Sequence, residues 1–128
     1  PMLRYAHARA RSLGVSNVRF VQANAEHLDE ADQSFDLIVS CMVLHETSRT
    51  AIEKLFGETR RLLAPGGMVL HVEQPQYHGM DVFEQFLRDW DAFNNNEPFW
   101  SAMHEKDLKE LMAQAGFPLD SQFVVGVK

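Results

Sequence analysis

The stretch from residue 35 to residue 72, FDLIVSCMVLHETSRTAIEKLFGETRRLLAPGGMVLHV, decides the fold. Its first ten residues are apolar almost without alternation, the pattern of a strand covered by helices on both faces, and they mark the centre of a sheet. Thr50 and Glu53 then stand at capping-box spacing, and Ile52, Leu55, Phe56, Leu62 and Leu63 share one side of a helix that stops at Pro65-Gly66-Gly67. MVLHVEQP is a second apolar strand, closed by Pro75, which cannot donate to a ladder. A strand, helix and strand of this length form a parallel crossover, which is right-handed in nearly all proteins.

Downstream, MDVFEQFLRDWDAF sets Val82, Phe83, Phe86, Leu87, Trp90 and Phe93 on a broad helical stripe, followed by a loop NNNEPFW. HEKDLKELMAQAGF predicts a further amphipathic helix stopped at Gly116, and SQFVVGV a last strand. Upstream, Met2, Ala6, Ala10 and Leu13 recur at helical spacing ahead of Gly14, a small-residue ridge suited to lying close against a sheet, while Arg4, Arg9 and Arg11 form a solvated face. NVRFVQA predicts a short strand through Val18, Phe20 and Val21, and the polar residues 24–34 a loop. Helices and strands alternating in this way argue an open α/β sheet.

Composition narrows the function. At 128 residues the chain suits one compact domain, and its single cysteine, Cys41, excludes an internal disulfide framework. A net charge of -6 without a basic block argues against nucleic acid and anionic membrane as partners. No run approaches the roughly 18 apolar residues of a membrane span, and no signal-peptide pattern opens the chain, so the cytoplasm is the expected location.

The ordered set Ala23-Asn24-Ala25-Glu26, Phe35-Asp36, Arg61-Leu62-Leu63-Ala64-Pro65-Gly66-Gly67 and MAQAGF resembles the class I S-adenosylmethionine-dependent methyltransferases, in particular the small-molecule branch typified by ubiquinone and menaquinone biosynthesis enzymes. The resemblance runs from residue 1 to about 127. It implies a Rossmann-like doubly wound sheet with the ligand beyond the carboxyl ends of the central strands. It also implies two missing parts, the family's first strand with its glycine-rich loop and its second strand with the ribose-binding acid. The opening helix matches the one that follows that acid, so the chain reads as a single but partial domain, residues 1–128, lacking the first two strands, with residues 76–103 as a lid or substrate insertion.

On that resemblance the cofactor is S-adenosylmethionine, with Asn24 accepting from the adenine amine, the Ala25 N–H donating to the ring and Glu26 alongside. The alternative for Asn24 is a local turn bond, and for Glu26 a solvated loop acid. Cys41 and Met42 would offer backbone carbonyls to the methionine end; a lone cysteine is otherwise a small core hydrophobe. His45 and Glu46 follow the central strand on the ligand side, where a histidine suits a general base for a protonated nucleophile; the bland reading is a helix-entry pair. Phe86, Trp90 and Trp100 would wall a substrate pocket, although an aromatic stripe at helical spacing is more often core. His71 and Glu73 share a strand spacing that offers two metal ligands, but no third can be placed, so no metal is expected and hydrogen-bonded partners are the better reading.

The expected function is methyl transfer to a small-molecule substrate, with the isolated chain binding the cofactor weakly if at all. The alternative is a non-catalytic association module. The absent strands would lie between residues 18–22 and 36–41, so the flanking strands would either meet directly or pair between molecules, as in a homodimer joined through unpaired sheet edges.

Overall fold

The computed structural model describes residues 1–126. Helix α1 (Met2–Ser12) leads, ending before Gly14, whose positive φ of 69° turns the chain away. Strand β1 (Phe35–Cys41), helix α2 (Arg49–Leu62) and strand β2 (Leu63–Val72) form the crossover predicted from the 35–72 stretch, with β1 and β2 paired in parallel. Helices α3 (Val82–Asn94), α4 (Trp100–His104) and α5 (Leu108–Gln114) follow.

The turn into β2 is set by two glycines. Phe35 pairs with Leu63, but Leu37 pairs with Met68, so β2 accommodates an irregular insertion opposite Asp36 before the regular register Leu37–Cys41 against Met68–Val72 begins. Gly66 supplies a φ of 79° there. At Gly67 a Cβ would stand 2.9 Å from the Asp36 carbonyl oxygen, so only glycine lets the two backbones come this close.

The core lies on the helical side. Ile52, Leu55 and Phe56 of α2 pack with Leu44, Met103 and Leu111, and Phe56 and Ile52 are fully buried. The tilted Phe56–His71 ring pair, 5.1 Å between centroids, joins this core to the sheet.

Several sequence expectations are corrected. The apolar run of β1 is not covered on both faces: Leu37 and Val39 are about half exposed, as are Met68, Leu70 and Val72 of β2, because only one face carries a helix. Residues 18–22 form no strand and do not pair with β1; the Phe20 ring stands edge-on to His7 at 5.0 Å between centroids. A strand needs a neighbour's backbone, and none is beside this segment among the described residues. Helix α1 buries no residue, so its small-residue ridge meets no sheet. The cap of α2 is Ser48, accepting from Ala51 N–H at 3.3 Å, in place of a Thr50–Glu53 box. The helix expected from His104 is divided: α4 ends there, and α5 starts after Asp107, whose carboxylate accepts from Lys109 and Glu110 N–H. Residues 122–126 form no strand, and Val127 lies outside the described residues. The α3 stripe is not core: Phe83, Phe86, Trp90 and Phe93 are all more than half exposed.

Candidate active site

Parallel pairing brings the carboxyl ends of β1 and β2 to the same edge, and the polar side chains just past those ends meet. A single 3-10 turn, Leu44–Glu46, follows β1 and places His45 in the interior, 6% exposed. Just past β2, Glu73 is equally enclosed, its side chain 7% exposed. Glu73 Oε1 pairs with His45 Nδ1 and accepts from Gln74 N–H at 2.9 Å. Oε2 accepts from Val43 N–H at 3.0 Å and Leu44 N–H at 2.8 Å, so one carboxylate holds the whole turn. Burial pushes the Glu73 carboxyl up, but these N–H bonds and the His45 partner together hold it below the ordinary carboxylate range.

The other imidazole nitrogen, His45 Nε2, makes no hydrogen bond among the described residues and stands 3.7 Å from Glu46 Oε1 on the exposed side. His45 lines a cavity of about 360 Å³ shared with Met42, Gln74, Leu87, Arg88 and Trp100. The Trp100 ring meets the imidazole edge-on at 5.7 Å between centroids. Glu84, Asp91 and Glu97 complete the rim, and Arg88 bridges Glu84 at 3.0 Å and Gln74 at 3.5 Å.

Behind Trp100 is a second polar cluster. Trp100 Nε1–H donates to Tyr77 OH at 2.7 Å, and that hydroxyl donates to Asp89 at 2.5 Å. Burial, with the Asp89 bond, pushes the Tyr77 hydroxyl up to about 12. His104 stacks on Tyr77 at 4.0 Å with neither ring nitrogen hydrogen-bonded, and burial pushes its pKa down.

Met42 stands at the bend that ends β1, with a φ of 54° and its N–H donating to Val72 carbonyl at 2.8 Å. A left-handed non-glycine residue costs on the order of 1 kcal/mol, and such residues collect at functional sites. Cys41 is exposed and is not the small core hydrophobe that a lone cysteine usually is. His71 bonds Ser40 Oγ at 2.7 Å through Nδ1. Among the described residues no group of three or more His, Cys, Asp and Glu side chains is arranged to hold a metal ion.

Asn24, Ala25 and Glu26 are held elsewhere. Asn24 Oδ1 accepts from Glu26 N–H at 3.0 Å, the local turn bond, and its carbonyl accepts from His27 N–H at 3.1 Å. Glu26 pairs with Lys54 at 2.9 Å. The loop that follows is fastened to α2 through Glu58, which accepts from Leu28 N–H at 2.7 Å, and Arg61, which bonds Leu28 and Glu30 carbonyls and Asp32. No hydrogen bond links residues 24–26 to Cys41, Met42 or His45 among the described residues. The structure thus brings His45, Glu46, Met42 and Trp100 together, and leaves Phe86 and Trp90 on the outer side of α3, away from the cavity lining.

For an adenine, the donor set fits: Ala25 N–H has no acceptor among the described residues, and Asn24 Oδ1 has taken one of the two bonds it can accept. Glu73, Gln74 and Arg88 were absent from the sequence reading of the site. The signal for Glu73 was available, since an acid just past one parallel strand must lie near a histidine just past its neighbour.

Comparison with known proteins bears on this geometry. A methyltransferase-domain family model matches residues 1–67. The chain is 39% identical over 88 residues to the ubiquinone/menaquinone biosynthesis C-methyltransferase UbiE of Psychromonas ingrahamii, covering 66% of this chain and 34% of the relative. It is 35% identical over 94 residues to the UbiE of Klebsiella pneumoniae, covering 73% and 35%. To the UbiE of Bartonella tribocorum it is 31% identical over 133 aligned positions, covering 91% and 50%. The chain spans about a third of the length of the first two of these relatives and half of the third. No helix among the described residues is long and apolar enough to cross a membrane.

Proposed function

Because the chain belongs to the class I S-adenosylmethionine-dependent methyltransferase family, we propose that it forms part of a cytoplasmic enzyme that moves a methyl group from that cofactor to a small molecule. The observation that carries this reading is the buried His45–Glu73 pair opening onto a cavity at the carboxyl ends of two parallel strands. Asn24 and Ala25 would hold the adenine and the backbone at Cys41 and Met42 the methionine end, with Glu26 supporting the loop through Lys54. When bound, S-adenosylmethionine supplies an activated methyl on a sulfonium, so the protein's work is alignment, exclusion of water and proton removal.

His45 Nε2 would take the proton of the bound acceptor, leaving the electron pair on the atom to be methylated. Glu46 stands 3.7 Å from Nε2 and Glu73 on the Nδ1 side, so the ring lies between two carboxylates. Trp100 and Leu87 contact the substrate, and residues 76–103 act as its lid, with Phe86 and Trp90 on the lid's outer surface. The names of the relatives make precursors of ubiquinone and menaquinone the first acceptors to try.

The test is transfer of a labelled methyl from S-adenosylmethionine to such acceptors by the wild-type protein and by His45→Asn. Loss of a general base predicts a fall in turnover of about 10²-fold or more with cofactor affinity retained. Both are measured in the enzyme of which this chain forms part: unchanged turnover in His45→Asn would remove the base assignment, and absence of transfer to every acceptor, with no cofactor binding by calorimetry, would remove the function.

A second reading, a non-catalytic module that associates through its sheet, is favoured by the half-exposed Leu37, Val39, Met68 and Leu70. Sedimentation decides it: a homodimer that dissociates on Leu37→Lys supports association, and a monomer at all concentrations refutes it.

A further inference from the structure

We propose that Glu73 is the positioning residue of this site: its carboxylate fixes the proton of His45 on Nδ1, so that Nε2 presents a lone pair to the cavity, and the same carboxylate builds the turn that holds the ring there. This rests on the reading of His45 as the group that faces the substrate. The argument is one of donors and acceptors. Glu73 Oε2 meets two backbone donors, Val43 N–H at 3.0 Å and Leu44 N–H at 2.8 Å, and Oε1 meets a third, Gln74 N–H at 2.9 Å. Three backbone N–H bonds stabilise the charged form and, with the His45 partner, hold the Glu73 carboxyl below the ordinary carboxylate range, so it is ionised and offers acceptors only. The fourth neighbour, His45 Nδ1, must therefore be a donor too.

A neutral ring with its proton on Nδ1 has its lone pair on Nε2. That nitrogen has no hydrogen-bond partner among the described residues, although the ring is almost fully enclosed and lines the cavity. The groups facing the ring are Glu73 on one side, Glu46 at 3.7 Å from Nε2 on the other, and the Trp100 edge. Glu73 touches no cavity space of its own, so its role is exercised through the imidazole. Because it lies outside the turn that it holds, its effect on that turn and its effect on the ring can be separated by exchanging a single atom.

Glu73→Gln makes that exchange. The amide has one accepting end and one donating end. With its oxygen kept on Val43 and Leu44 N–H, its NH₂ faces His45 Nδ1, which must then accept, so that the ring proton moves to Nε2 while Gln74 N–H loses its acceptor. Long-range ¹H–¹⁵N correlation spectra of the imidazoles distinguish the two tautomers. They are recorded on the full chain at about pH 8, above the ordinary imidazole range, with His45→Asn to identify the His45 signals.

The expected result is Nδ1–H in the wild type and Nε2–H in Glu73→Gln. Nε2–H in the wild type, or the same tautomer in both proteins, would overturn the proposal. If circular dichroism shows that Glu73→Gln does not fold, the wild-type spectrum alone decides. The spectra do not depend on turnover. If the tautomer switches as expected while His45→Asn leaves methyl transfer unchanged, the positioning role stands and the base assignment falls.

Discussion

Replacing Glu58 with alanine tests how the loop that carries Asn24 is held. Glu58 sits on the buried side of α2, 8% exposed, and accepts three bonds: Leu28 N–H at 2.7 Å, Arg61 NH2 at 2.6 Å and Arg61 Nε at 2.9 Å. Truncation leaves the Leu28 amide without its acceptor and Arg61 with only exposed Asp32 and two carbonyls. A hydrogen bond to a charged group contributes about 1.5–3 kcal/mol, but these three share one carboxylate, and Arg61 remains partly solvated. The net loss is therefore about 2–3 kcal/mol, or roughly 8–12 °C in Tm for a domain of this size. Asp32→Ala, which removes an exposed partner of the same arginine, should cost under about 0.5 kcal/mol.

Urea unfolding across a pH series carries the test further. The Arg61 bonds hold the Glu58 carboxyl at about 2, well below its ordinary 4.5. Its folded value is thus below its unfolded one, so its stabilisation is complete above pH 4.5 and disappears as pH falls toward 2. The gap between wild type and Glu58→Ala should close over that interval. A loss below about 0.5 kcal/mol at neutral pH, or a gap that does not change with acid, would refute the clamp.

Three other substitutions, at two positions, address the strained and unpartnered groups. His104→Phe keeps the stack on Tyr77 and removes two buried nitrogens that have no partner, so it should stabilise the protein by about 1 kcal/mol. Burial lowers the His104 pKa in the fold, so wild-type stability falls as pH drops below the ordinary 6.5; denaturation at two pH values should show a shallower fall in the variant. At the left-handed bend, Met42→Val should cost about 1–2 kcal/mol, while Met42→Gly should be neutral within about 0.5 kcal/mol, both read by thermal unfolding.

The crossover was legible because its signals are local and agree: a nearly unbroken apolar run and a one-sided helix before a Pro-Gly-Gly turn. Yet α2 ends already at Leu62, and Pro65-Gly66-Gly67 fall inside β2, not at the helix stop expected there. The flanking segments were less so, since Val18 to Val21 have strand chemistry but no neighbouring backbone to pair with, and pairing is a tertiary fact. The α3 stripe misled in the same way. Its spacing specifies an amphipathic helix, but what covers the apolar side is not written in the helix itself. His45 and Glu46 were singled out from their place after β1 and Trp100 from its aromatic character, and the structure brings the three to one edge of the sheet. Glu73 was seen only as a partner for His71, because spacing along one strand drew attention from the neighbour across the sheet. Ser40 took His71 instead.

The irregular start of β2 has a consequence for how this chain tolerates changes of length. The insertion opposite Asp36 lies between the end of α2 and the regular register from Leu37 to Cys41, so it acts as slack. Adding a residue between Leu63 and Gly66 would enlarge that slack and leave the register, and with it the position of Glu73, as they are. Removing one residue between Met68 and Val72 would instead turn every later side chain to the opposite face and carry Glu73 away from His45. Insertions and deletions only a few residues apart should therefore differ sharply in their effect on the site.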